Sequence, residues 1–135
     1  MNKTERWMDR YKGIGYEIAK PESFPWAYYL YINLDKIEDA DVGDSLWLES
    51  EKTGDGFPFY DYNTDFFQRL ELHCGITFYS KSLVIARDKP ENRIIKIGCD
   101  YGHIWDERSR YNEHSIEVEA RNSIDILVSI IKFKE

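Results

Sequence analysis

The sequence predicts an α+β domain: a mostly antiparallel sheet with a C-terminal helix packed on one face and a short N-terminal helix. Three observations carry this. Runs of alternating or aromatic and β-branched residues recur along the first hundred positions, separated by Gly, Pro and Asp. A sustained helical period appears only towards the C-terminus. A chain of 135 residues makes one domain, 1–135, long enough to bury a core without disulfide staples.

Taken in order, residues 3–11 read as the short helix, with Trp7, Met8 and Tyr11 on one side. Residues 13–20 alternate, Ile14, Tyr16 and Ile18 against Gly15, Glu17 and Lys20, and read as a strand. Pro21 and Pro25 mark a turn. Residues 26–34 are aromatic and branched and form the clearest strand. In it Tyr28, Tyr29 and Tyr31 alternate, so at least one points away from the core. Residues 35–62 read as an acidic, irregular excursion holding a short strand at Leu46-Trp47-Leu48. Asn63 or Thr64 caps a short helix through Leu70, and strands follow at 70–73 and 75–80. Residues 82–92 read as a strand end and a turn at Asp88-Lys89-Pro90. Residues 93–99 form an apolar strand that Gly98 ends, and 100–112 a loop. Ile116, Ala120, Ile124, Leu127 and Ile131 then step by four, four, three and four, which favours a helix over 115–132.

The net charge of −7 argues against a general nucleic-acid binder, which needs a basic face to displace counterions. It leaves room for docking on a basic surface as a partial DNA mimic. The acid concentrates at 35–56, with eight Asp or Glu against two Lys, although such runs ordinarily lie in solvent. Aromatics make up 16% of the chain, and the ten tyrosines suggest a rim or binding surface beyond the core. The charged opening residues do not resemble a signal peptide, and no apolar stretch is long enough to cross a membrane. With two cysteines, a cytoplasmic protein with reduced thiols is expected.

Two short segments hold the chemistry: Leu72-His73-Cys74-Gly75-Ile76-Thr77, and 97–106, with Cys99, Asp100, His103 and Asp106. Polar groups at strand ends are held by the sheet yet face solvent. Brought together, His73, Asp100, His103 and Asp106 suit a divalent metal such as Zn, Mn or Fe, or acid–base work in which a carboxylate fixes a histidine tautomer. The bland alternative is that the histidines bond to backbone and Asp100 caps a turn. No dedicated metal, nucleophile-elbow or phosphate-loop motif decides between these readings. Cys74 and Cys99 are open to three readings: buried small hydrophobes, metal ligands with the histidines, or a redox disulfide. Ser80 and Ser82 lie just past the first segment, and His114 is expected to be exposed near a helix start.

The two segments resemble those of a family of small proteins from bacteriophages, prophages and bacteria. That family has His-Gly-Gly-apolar-Thr-aromatic, then Gly-Phe-Asp followed by His and Asp at intervals of three. The counterparts are His73-Cys74-Gly75-Ile76-Thr77-Phe78, then Gly98-Cys99-Asp100, His103 and Asp106. Cys74 replaces the family's second glycine and Cys99 its phenylalanine. If those positions touch, two medium residues replace a small and a large one and core volume is kept. The resemblance implies no established activity. It implies His73, Gly75, Thr77, Asp100, His103 and Asp106 as the site, and a phage-linked setting.

The leading expectation is an accessory protein that binds a polar, nucleotide-like ligand between the two segments, aromatics stacking a base and histidines meeting phosphate, to counter a host defence. The rivals are a metal-dependent phosphoesterase on His73, Asp100, His103 and Asp106, and an acidic inhibitor of a host defence protein.

Overall fold

The computed structural model describes residues 4–22, 26–53, 78–84, 92–101 and 112–134. Within them lie β1 (Thr4–Tyr11), β2 (Ile14–Pro21), β3 (Ala27–Asn33), a 3-10 turn (Leu34–Lys36), α1 (Ala40–Thr53), β4 (Phe78–Val84), β5 (Asn92–Asp100) and α2 (Glu113–Ile130). The strands form one sheet in the order β1-β2-β3-β5-β4, and every neighbouring pair is antiparallel. The α+β class with a C-terminal helix is therefore observed.

The N-terminal segment corrects the sequence reading: residues 4–11 are a strand, not a helix. The turn decides it. Lys12 and Gly13 both have positive φ, 51° and 81°, as a two-residue hairpin loop matching the strand twist requires. The loop zips Tyr11 against Ile14 and carries the ladder out to Thr4 against Pro21. Trp7 and Tyr11 then share the face of Ile18 and Ile14, while Met8 points to the opposite face and is 67% exposed. Trp7 stacks on Trp26 at 5.7 Å, a contact between distant segments that the local pattern could not reveal.

Alternation sorts the sheet residues. Ile14, Tyr16 and Ile18 of β2, Tyr28, Leu30 and Ile32 of β3, and Ile95, Ile97 and Cys99 of β5 are buried in a core shared with α2. The helix contributes Ile116, Ala120, Ile124 and Leu127, the predicted stripe. Ser123 joins that stripe because its hydroxyl meets the Tyr28 hydroxyl at 2.8 Å. Asn112 caps the helix reciprocally: its Oδ1 accepts from the Ser115 amide, and Ser115 Oγ accepts from the Asn112 amide, both at 2.9 Å. His114 is exposed, as expected.

Residues 35–53 of the acidic excursion are also more regular than their composition suggested. Residues 46–48 lie in α1, not in a strand. Asp39 starts the helix, its Oδ1 accepting from the Asp41 amide at 3.0 Å. Helical spacing places Leu46 one turn beyond Val42, and Leu46 is buried in the core. Arg93 at the start of β5 binds the segment down. Its amide and Nε donate to Asp35 at 2.7 and 2.9 Å, its Nη1 lies 3.0 Å from Asp44, and its guanidinium sits over Trp47. The helix expected at 63–70 and the strand at 70–73 lie outside the described residues.

Candidate functional site

The face of the sheet turned away from α2 is organised around a buried carboxylate. Glu17 of β2 is 3% exposed. A buried charge is tolerated only when paired and hydrogen-bonded, and three residues supply this. Arg6 of β1 ion-pairs with Oε2, Tyr31 of β3 donates its hydroxyl to Oε1 at 2.7 Å, and Lys96 of β5 stands 3.8 Å from Oε1. The Lys96 ammonium also lies 4.4 Å from the Tyr29 ring centre and 5.3 Å from that of Tyr31. Burial, then the hydrogen bond to Glu17 and its charge, push the Tyr31 phenol well above its ordinary range; Tyr29 is raised by burial and then by Glu17. The sequence showed Glu17 only as the polar half of an alternating strand. Arg6, Glu17, Tyr29, Tyr31 and Lys96 come to share a face only through the strand register, which the local pattern does not carry.

Along the same face of β5, Lys96 is followed by Gly98 and Asp100. Gly98 does not end the strand; it lies inside it. A Cβ there would fall 2.3 Å from Tyr29 Cδ1 and 2.6 Å from the Tyr28 carbonyl oxygen, so the missing side chain is what lets the Tyr29 ring lie across β5. Asp100 closes the strand opposite Ala27, half-buried. The next residue, Tyr101, turns back into the core, its amide donating to the Trp26 carbonyl at 2.8 Å. Trp26, stacked on Trp7, carries the Lys20 ammonium 5.2 Å from its ring centre, so an aromatic pair and a cation stand at the same sheet end as Asp100.

Of the six residues expected to form the site, Asp100 alone is among those described. His73, Gly75, Thr77, His103 and Asp106 lie outside the described residues, as does Cys74. What the described strands do fix is direction. Phe78, the first residue of β4, pairs with Gly98, two residues before the end of β5. The chain therefore leaves 73–77 into β4 at the sheet end where β5 delivers it into 101–106. Among the described residues no three His, Cys, Asp or Glu are arranged to hold a metal ion. Cys99 is buried in the core beside Tyr28, its cross-strand partner, and forms no disulfide among the described residues. No helix among the described residues is long and apolar enough to cross a membrane. The chain matches no protein-family model, no curated protein and no solved structure.

Proposed function

We propose that this chain is a small phage- or prophage-type accessory protein that binds a polar, nucleotide-like ligand where β4 begins and β5 ends, and so counters a host defence. His73, Gly75, Thr77, Asp100, His103 and Asp106 are its ligand-binding residues. The observation that supports the reading is the antiparallel pairing of Phe78 with Gly98, which puts the start of β4 and the end of β5 at the same end of the sheet. Trp26 and Trp7 at that sheet end offer a stacking surface for a base, and Lys20 adds a cation beside it.

The acidic-inhibitor reading gains nothing from the fold. Asp35 and Asp44 are engaged by Arg93, and Asp39 starts α1, so three carboxylates of the acidic run serve the domain itself. Calorimetry against a panel of nucleoside mono- and diphosphates tests the proposal. Binding whose affinity Asp100→Asn and His73→Ala each weaken about tenfold or more, a loss equal to one well-formed charge-assisted contact, supports it. Absence of heat with every nucleotide, or heat indifferent to both substitutions, overturns it.

A further inference from the structure

The opposite end of the sheet carries a groove of about 590 Å3, within the range of small-ligand sites. It curves round the strand ends, from Gly13 and Gly15 of the first hairpin past Tyr31 and Asn33 to the C-terminal segment. Its charge runs against that of the chain. Arg10, Lys12, Lys36, Lys132 and Lys134 line it, and no carboxylate is among the described lining residues, although the chain has 25 Asp and Glu against 18 Lys and Arg.

These cations are only loosely neutralised. Lys12 meets Asp125 at 2.6 Å with both side chains substantially exposed, and Lys132, 82% exposed, stands 3.8 Å from Glu38. Exposed pairs of this kind are weak and exchange partners readily. Arg10 donates to the Gly13 carbonyl at 2.8 Å and Lys134 to the Asp35 carbonyl at 3.4 Å, which satisfies donors without cancelling charge.

The C-terminal segment adds a second, independent observation. Residues 132–134 pair antiparallel with 36–38: the Glu38 amide donates to the Lys132 carbonyl at 2.8 Å, Ile37 bridges Phe133, and the Lys134 amide donates to the Lys36 carbonyl at 2.7 Å. That register sets Lys36 opposite Lys134. Like charges directly opposite on an antiparallel pair are destabilising, and an anion between them reverses the sign. Beside this pair the groove is apolar, formed by Ile14, Ile94, Val128 and Phe133.

We propose that this groove binds a small organic phosphate, its phosphoryl group between Lys36 and Lys134 and its apolar part on the surface of Ile14, Ile94, Val128 and Phe133. A dianionic group is favoured over a carboxylate because several cations converge where the field of the acidic surface is locally inverted. The site is independent of the Asp100 end and does not rest on the function proposed there.

Amide chemical-shift titration of the full chain tests this with four probes: inorganic phosphate, hexyl phosphate, AMP and hexanol. The expected result is shifts at Gly13, Gly15 and Lys134, with hexyl phosphate or AMP binding about tenfold or more tighter than inorganic phosphate or hexanol, because charge and apolar contact act together. AMP ahead of hexyl phosphate indicates a flat base on the apolar surface, and the reverse order an alkyl chain. Equal affinity for inorganic phosphate and both esters, or shifts confined to Ala27 and Asp100, overturns the proposal. Lys36→Ala with Lys134→Ala weakens binding about tenfold or more. Asp125→Asn frees Lys12 and strengthens binding by about threefold, a gain that misfolding cannot imitate. Affinity unchanged in both variants overturns the assignment.

Discussion

At one end of the sheet β5 delivers a carboxylate, Asp100, on the face opposite the one that carries the Trp7–Trp26 pair; at the other, five cations surround a groove with no carboxylate among the described lining residues. Both ends hang on the same strands and the same α2. The difference comes from how charge is disposed of in between. On the face away from α2, Glu17 collects Arg6, Tyr31 and Lys96 into one hydrogen-bonded and ion-paired cluster, and on the rim Arg93 collects Asp35 and Asp44. Carboxylates of the acidic run are thus spent on α1 and its anchor, and among the described residues none of them lines the groove beside Lys36 and the C-terminal lysines. A net charge of −7 argues against a general nucleic-acid surface, yet it says nothing about a local field of opposite sign.

The strongest way to break the comparison is to show that the two ends do not belong to one cooperative body. Ile124 lies at the middle of α2 and is fully buried between them. Ile124→Ala is expected to cost about 2–5 kcal/mol, and amides at both Asp100 and Gly15 should lose hydrogen-exchange protection together. Loss at one end only would make the ends separate units. A smaller effect sharpens the contrast. Gly98→Ala drives a methyl into the Tyr29 ring and the Tyr28 carbonyl oxygen, for about 1–3 kcal/mol by denaturant titration. It should disturb amide shifts at Ala27 and Asp100 and leave those of Gly13 and Lys134 in place. Equal disturbance at both ends would mean that Tyr29 transmits strain along the whole strand.

The sequence made one half of this architecture legible and hid the other. The stripe of Ile116, Ala120, Ile124 and Leu127 announced α2, and the alternation of Ile14, Tyr16 and Ile18 announced β2, because burial against one partner imposes a fixed period. β1 failed that test. An edge strand with charged residues on both faces carries no clean period, and its state is set by the Lys12-Gly13 turn and by pairing with β2. Residues 46–48 misled in the opposite sense: three large apolar residues in a row look like a strand, and only Asp39 at the helix start and the anchoring Arg93 make them helical. Asp100 was legible as a strand-end carboxylate. The basic groove was not, because Arg10, Lys12, Lys36 and Lys134 are spread along the chain and meet only after the C-terminal segment pairs with 36–38.

Tyr31 offers the finest division between the ends, since it lines the groove and also binds the Glu17 cluster. Its phenol is held protonated by burial and by the hydrogen bond it donates to Glu17, so its ionisation in the folded chain lies above the ordinary 10.0. The unfolded chain therefore releases this proton first, and stability must fall as pH rises past about 10. Tyr31→Phe removes both the bond and the titration. Near neutral pH it should cost about 1–2 kcal/mol, the worth of a hydrogen bond to a charged acceptor still held by Arg6 and Lys96. Above pH 10 the two proteins should converge, because only the parent has this group to lose, and a residual slope should remain from Tyr29 and Tyr16, which are raised as well. Denaturant titration at intervals from pH 7 to pH 11 measures the difference. A constant gap over that range would mean that the Tyr31 hydroxyl is not bound to Glu17, and the cluster separating the two ends would have to be drawn without it.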